Sequence, residues 1–557
     1  MSDPSVFLNY STPAINYGLY DDLVYSSFNM TRIERAVVTK VAGFGAVSGV
    51  LMALLINFLF HFEYEVFKKK VKLKDKMGFK KTILLITLPL ILPFMLLFLL
   101  VAIIYKILCS VIIKRKDKHF TGFLGSFDVF WCLEDDVSKS IVNVLGVIEC
   151  TSPQKLVDHV REKLQNIVQN SDAEKLFYRR NEAYGFYYWK KCCYIDISQY
   201  VCVIDVSNTT ELNESDLEVI MTEISYLPLP FNDEGLFQVL ITNQKLKNNN
   251  GKDEYGVIIR LHHAVGDGAA LIEFLCETLA DDSDTDSRAF CVPVFYNQKT
   301  KRTLADYLEI IIKFCKIPSC LIDGLLREPD RTSLHGPALN GKKIFKWMEY
   351  DQDLLHLVKD IKKNTKLHFS DILISSLSLG LRDYFLQEID PAPNTVAVIL
   401  PIRFPQNKND GVRLENNFTV SILDLEVGAD IETVKRHMNE LRDSADPLSN
   451  HFFLKLCGIL PKEILHPAFY SNQATMTLSN LPGTRALTIC GGLLKSLVFF
   501  IPSKGNTGLS ITVLCYGGVL SFGAMADSAL ISNPDELAII LNGMVKGIKQ
   551  LHKEFVK

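Results

Sequence analysis

The sequence predicts an α/β protein of two halves preceded by two membrane-embedded helices, and three observations predict it. Two stretches in the first fifth of the chain are apolar and long enough to enter a bilayer. From His119 onward, amphipathic helical stretches alternate with short β-prone runs. The length, 557 residues, exceeds what one ordinary hydrophobic core holds, so at least two folded units are expected. Apolar residues make up 48% of the chain and mean hydropathy is positive, as embedded sequence would make it.

The first apolar stretch, 41–60, has Asn57 as its one strongly polar member, and the second, 83–104, carries Pro89 and Pro93. Each is long enough to cross a hydrocarbon core of roughly 30 Å. The first starts too far into the chain, and lacks the short apolar region, to be a cleaved signal peptide. Between them lie Lys68, Lys69, Lys70, Lys72, Lys74, Lys76, Lys80 and Lys81, which favour a cytosolic connector. Lys114, Arg115, Lys116 and Lys118 follow the second stretch. Two full spans would then place 119–557 on the far side, whereas a re-entrant or monotopic second segment keeps it cytosolic. The sequons at Asn9 and Asn29 fit a lumenal N-terminus, and the lysines also suit anionic headgroups. The topology stays open on these grounds.

The chain divides into an N-terminal tail (1–40), a membrane anchor (41–113), and two halves, 119–330 and 331–557. Polar stretches interrupt the pattern at 281–287 and 328–343, and the later one is the better crossover between halves. Helical periodicity covers 153–168, 215–224, 269–279, 369–385 and 534–552. β-prone runs cover 200–206, 236–241, 257–261, 396–400, 420–425, 474–478, 509–515 and 519–524. Asn533 before Pro534, with Asp535 and Glu536 following, is a helix start. A net charge of −3 supplies no basic field for nucleic acid. The thirteen cysteines are dispersed from Cys109 to Cys515, and the adjacent Cys192 and Cys193 have no ligand-like spacing. They read as reduced thiols, with neither a disulfide framework nor a metal site.

The residues with chemical potential are His262, His263, Ala264, Val265, Gly266, Asp267 and Gly268. A β-prone run delivers two histidines to a glycine-bearing turn, and Asp267 stands just before an amphipathic helix. Neighbouring side chains on a strand point to opposite sides, so at most one imidazole faces a given cavity. The Asp suits a helix cap or an anchor for a nearby cation or imidazole. A neutral imidazole can take a proton from a hydroxyl near pH 7, so that the oxygen attacks a carbonyl without a protein nucleophile. A His–His pair alone fits an ordinary strand end; the complete pattern between strand and helix favours acid–base work.

That segment matches the HHxxxDG motif of acyl-CoA-dependent acyltransferases with the chloramphenicol acetyltransferase-like fold. The chain from about Gly125 onward resembles the bifunctional wax ester synthase/diacylglycerol acyltransferase family. Leu124 to Phe130 resembles the family's opening segment around an aspartate. Gly235-Leu236-Phe237 stands at its Pro-Leu-Trp, and Ser370-Asp371 at its Asn-Asp. Pro401-Ile402-Arg403 and Asn416-Asn417-Phe418 resemble its proline–arginine and Gly-Asn segments, with Asn416 in place of the glycine. Leu478-Ser479-Asn480-Leu481-Pro482-Gly483, Gly491-Gly492, Pro502, and the run from Gly508 to Asp527 follow in family order. The Asp-Phe-Gly-Trp-Gly ending of plant acyltransferases of this fold is missing, as are the carrier and adenylation modules that accompany condensation domains.

The resemblance implies two chloramphenicol acetyltransferase-like subdomains with mixed sheets, 119–330 carrying HHxxxDG and 331–557. It implies transfer of a fatty acyl group from acyl-CoA to a long-chain alcohol, forming a wax ester, or to diacylglycerol, forming triacylglycerol. His263 would be the general base and Asp267 would orient the loop. His262, Gly268, Asp371 and Asn417 would support the site, and Asn480 or the backbone beside it would steady the oxyanion. No metal and no cofactor beyond acyl-CoA as co-substrate is expected. The partners are acyl-CoA, the lipid alcohol and membrane lipid. Because acyl-CoA is cytosolic, the catalytic part is expected to face the cytosol from the endoplasmic reticulum, with the lipid droplet and plasma membrane as other locations. Diacylglycerol as main acceptor, and a lipid-binding relative without turnover, stay open.

Overall fold

The computed structural model describes residues 8–10, 76–170, 174–192, 194–206, 209–248, 251–281, 313, 316–324, 326–350, 352–365, 367–387, 392–403, 414–469, 473–481 and 483–556. The first apolar stretch, the sequon at Asn29, and most of the lysine-rich connector and of the polar run 281–287 lie outside the described residues.

Two mixed sheets organise the α/β fold. The first is ordered Leu8–Tyr10, Val201–Val206, Phe237–Thr242, Glu254–His262, Ile141–Glu149, Gly492–Phe500 and Thr488–Ile489. Its centre is antiparallel, with Leu261 opposite Phe237 and His262 opposite Ile141. The strand Glu254–His262 is buried along nearly its whole length, which suits a central strand covered on both faces. Val257 and Leu261 enter a core shared with the helix Pro153–Asn170. Ile258, on the opposite face, packs with the helix Glu214–Ser225 and with Phe345 and Trp347.

The second sheet is ordered Lys343–Tyr350, Val519–Asp527, Leu509–Tyr516, Met476–Leu481, Thr395–Arg403 and Phe418–Glu426. Met476–Leu481 pairs parallel with both neighbours and the remaining pairs are antiparallel. The helices Gln352–Thr365, Phe369–Phe385 and Pro534–Phe555 cover it. The last two cross closely enough that a Cβ on Gly380 would stand 2.5 Å from the Ile540 carbonyl oxygen, so both the crossing and its glycines are fixed by packing. A boundary at residue 330 does not describe the sheets. Gly492–Phe500, late in the chain, pairs antiparallel with Ile141–Glu149 and so completes the first sheet. Residues carried by that strand's flanks can therefore reach the early part of the chain.

The second apolar stretch is longer than its composition suggests. One helix, Lys76–Lys116, runs through both prolines for 41 residues, roughly 60 Å at 1.5 Å per residue. Its basic last turn, Lys114, Arg115 and Lys116, complements the negative end of the helix dipole. Within it Leu90–Lys116 is apolar and long enough to cross a membrane. Leu90, Phe94, Leu97, Leu100, Ile104 and Ile107 are exposed. On the other side, Tyr105, Cys109 and Ile112 pack against Phe186, and the Tyr105 hydroxyl donates to the Tyr184 carbonyl at 3.2 Å. The helix thus sits on the small sheet Phe120–Phe123, Phe186–Lys190, Arg179–Ala183 and leaves an apolar face unburied.

Candidate active site

The strand Glu254–His262 ends where the histidines begin. The His262 N–H donates to the Leu236 carbonyl and the His263 N–H to the Ser140 carbonyl, both at 2.8 Å, which holds the chain between its two sheet neighbours. The turn closes with the Val265 N–H donating to the His262 carbonyl at 2.9 Å. Asp267 then caps the helix Gly268–Phe274, accepting from the Ala270 N–H at 3.1 Å. Gly268 packs on Leu481: a Cβ there would lie 2.5 Å from Leu481 Cδ1, so that half-buried side chain would have to move. Gly268→Ala is therefore expected to displace the Leu481 side chain and to destabilise the protein by about 1 kcal/mol. Activity should fall with stability, and comparing thermal unfolding with turnover checks it.

The two imidazoles do point to different environments. His262 is fully enclosed: its Nδ1 accepts from the Ala264 N–H at 3.1 Å, and its Nε2 lies 3.2 Å from Glu134 Oε1 and 2.6 Å from Arg180 Nη1. Arg180 also binds Glu134 Oε2 at 2.6 Å, and the Ser140 N–H donates to Glu134 Oε1. Burial works to raise the Glu134 carboxyl, but His262, Arg180 and the Ser140 N–H hold it far below the usual carboxylate range. Burial, reinforced by Arg180, lowers His262. This is a structural polar cluster behind the turn.

His263 faces aromatic rings. The Trp131 indole stacks on its imidazole with ring centroids 3.7 Å apart and an 11° interplanar angle. Phe418 and Phe130 continue the wall beyond Trp131. Burial brings His263 down to about 3, with the His262 and Lys504 charges adding to the effect, against the pull of its own carbonyl and of Asn416. The ring is therefore a neutral imidazole at physiological pH, able to accept a proton.

The second half of the chain fixes the turn. The Asp267 N–H donates to the Glu415 carbonyl at 3.1 Å, and Asp267 Oδ2 accepts from the Asn417 N–H at 3.2 Å and lies 3.3 Å from Arg403 Nε. Burial raises the Asp267 carboxyl, and Arg403 with the surrounding N–H groups opposes it. Asn416 Nδ2 donates to the His263 carbonyl at 2.8 Å and to Asp128 Oδ1 at 2.9 Å, while Lys175 Nζ donates to Asp128 Oδ2 at 3.0 Å. So the side chain at the turn is Asn416, and Asn417 contributes its backbone.

Asp371 and Asn480 make no hydrogen bond to the turn among the described residues, although Leu481, next to Asn480, packs on Gly268. Asp371 accepts from the His368 N–H at 3.1 Å and pairs with Arg442 at the start of the helix Phe369–Phe385. That is a helix-start anchor, and none of these contacts involves the turn. Asn480 is exposed on Met476–Leu481, and no hydrogen bond among the described residues joins it to His263. Trp131, Glu134, Arg180 and Asn416 are the contacts that the motif did not disclose. The one local signal was the position of Trp131, immediately after the segment 124–130.

Residues 415–549 match the family model described as the WS/DGAT C-terminal domain, a segment that includes the Glu415–Asn417 clamp on the turn. The chain carries this domain, and it is an acyltransferase. Among solved structures, this acyltransferase is similar to the wax ester synthase/diacylglycerol acyltransferase from Marinobacter aquaeolei VT8. The match has 13% identity, covers 78% of this chain and 100% of that one, and has a TM-score of 0.53. It is also similar to the first condensation domain of the CDA synthetase, at 14% identity over 78% of this chain and 97% of that one, TM-score 0.52. At such identities the likeness establishes the fold, the condensation-type arrangement of two mixed sheets. Comparison with curated protein sequences gives no match.

Proposed function

We propose that the acyltransferase moves a fatty acyl group from acyl-CoA to the hydroxyl of a long-chain alcohol, forming a wax ester, and accepts diacylglycerol as a second substrate. The observation that carries this reading is the neutral, buried His263 imidazole, set in an aromatic wall and fixed from behind by the WS/DGAT domain. His263 takes the proton of the acceptor hydroxyl, and the oxygen attacks the thioester carbonyl. The tetrahedral intermediate then collapses, the C–S bond breaks, and the departing CoA sulfur recovers the proton from His263. Asp267 exchanges no proton; it holds the turn through Ala270, Asn417 and Arg403. His262, Gly268 and Asn417 support the site through the contacts described above.

The apolar face of Lys76–Lys116 supports attachment to a membrane, where such an acceptor resides. The catalytic part would face the cytosol, the source of acyl-CoA, with the endoplasmic reticulum as the proposed location. The test is a side-by-side assay of membranes containing the protein, with labelled acyl-CoA and either hexadecanol or dioleoylglycerol. Wax ester in excess of triacylglycerol is the expected product. Triacylglycerol alone would reassign the main acceptor, and neither product would overturn the reading.

A further inference from the structure

The helix Ser126–Cys132 carries Trp131 and is tied down by four remote segments. Ser126 Oγ donates to the Lys455 carbonyl at 3.0 Å, and Asp128 is held by Lys175 and Asn416. At the other end, Lys504 Nζ donates to the Phe130 carbonyl at 2.9 Å and to the Leu133 carbonyl, at the helix C-terminus. Seven residues with this many ties present Trp131 in a fixed position. Its ring lies flat on His263.

The indole can only donate through Nε1, and that atom is buried without a hydrogen-bond partner among the described residues. Buried donors are ordinarily satisfied, and an exception calls for an explanation, a catalytic role being one kind. The phenyl rings against the indole, Phe130 and Phe418, carry no donor, while Asn480, the residue expected to steady the oxyanion, is exposed. A proton acceptor and an unengaged proton donor are thus held one ring separation apart.

We propose that Trp131 is a further catalytic residue whose Nε1–H donates to the thioester carbonyl oxygen as it becomes the tetrahedral oxyanion. The assignment rests on the acyl-CoA reading above. The base takes the hydroxyl proton, the new C–O bond forms, and the carbonyl π electrons move onto the oxygen that Nε1–H binds. The indole keeps its proton throughout, and the charge returns to the carbon as the thiolate leaves. Such a donor binds charge more strongly than it binds the neutral carbonyl, so its effect falls on turnover.

Trp131→Phe keeps a flat ring over His263 and removes the N–H. It should lower kcat about 100-fold, the scale of one oxyanion donor, with KM for acyl-CoA and for hexadecanol changed less than about twofold. A rise in acceptor KM at unchanged kcat would overturn the oxyanion assignment in favour of a hydroxyl contact. Binding without turnover supplies the second measurement, using hexadecyl-CoA, a thioether lacking the carbonyl, and 2-oxoheptadecyl-CoA, a ketone that retains one. The wild-type protein should prefer the ketone about fivefold, as one hydrogen bond allows, and Trp131→Phe should lose the preference while binding the thioether equally well. Equal thioether binding shows that the variant's site is intact, and a retained ketone preference would overturn the role of Trp131 alone. Failure of the wild-type protein to bind either analogue would overturn the acyl-CoA reading itself.

Discussion

His263→Ala should abolish measurable ester formation from acyl-CoA and a fatty alcohol, a fall of about 10²–10⁴-fold from loss of the base, while expression stays intact. The physical case is that neither of the other titratable side chains of the turn can replace it. His262 is turned to Glu134 and Arg180, and Asp267 is occupied by Ala270, Asn417 and Arg403. The check is turnover per folded protein, with folding followed by thermal unfolding; retained turnover would remove His263 from the mechanism.

The same residue gives a pH effect whose sign can be worked out. Burial holds folded His263 near about 3, while an exposed imidazole in the unfolded chain titrates near its ordinary value of about 6.5. As pH falls below about 6.5, the unfolded chain takes up a proton that the folded chain refuses, so stability present above that pH is lost on the way down to about 3. His263→Ala should therefore lose less stability between pH 6.5 and 4.5 than the wild-type protein does. Equal acid sensitivity in the two proteins would contradict the buried, neutral imidazole. Activity itself should persist below pH 6.5 for as long as the fold does, since the folded base is still unprotonated there.

How far the sequence reached depends on how local each signal is. The helix Phe369–Phe385 has the limits that its period and its Ser370–Asp371 start indicate, because those features act within one element. The strands carrying His262 and the 509–527 hairpin were likewise legible from β-prone runs. Ile141–Glu149 was not, since Asn143 and Gly146 interrupt its apolar run although both sit inside the central sheet. Gly492–Phe500 was missed as a strand because its partner lies far back in the chain. The second apolar stretch is one helix that passes through Pro89 and Pro93 and continues to Lys116.

The site divides along the same line. His263 and Asp267 belong to a seven-residue motif whose strand and helix are immediate neighbours in sequence, so their placement at one turn could be anticipated. The groups that shape His263 arrive from elsewhere: Asn416 is 153 residues away, and Lys504 reaches the Leu133 carbonyl across 371. No composition or spacing near residue 131 or 504 announces such a meeting. Asn416 is the instructive case. Its side chain ties the His263 carbonyl to Asp128.

The buried cluster behind the turn carries the largest expected effect on stability. Glu134→Gln leaves the Arg180 guanidinium buried beside His262 with its carboxylate partner gone, which should cost about 3–5 kcal/mol. The penalty comes from the charge left behind more than from the bond lost, so Glu134→Gln combined with Arg180→Met should recover most of it. Comparing the thermal midpoints of the two variants tests this, and a double variant no better than the single would refute it. The pH dependence runs in the same direction as that of His263 but begins lower. Folded Glu134 is held far below its unfolded value of about 4.5, so its contribution is complete above that pH and is lost as pH falls below it. Activity should suffer along with stability. The Ser140 N–H binds Glu134 while the Ser140 carbonyl binds the His263 N–H, so one peptide neighbourhood joins the buried carboxylate to the backbone of the base. Loosening the cluster is therefore expected to disturb the backbone of the base even in molecules that remain folded, and the single variant should lose more turnover per folded molecule than the double variant does.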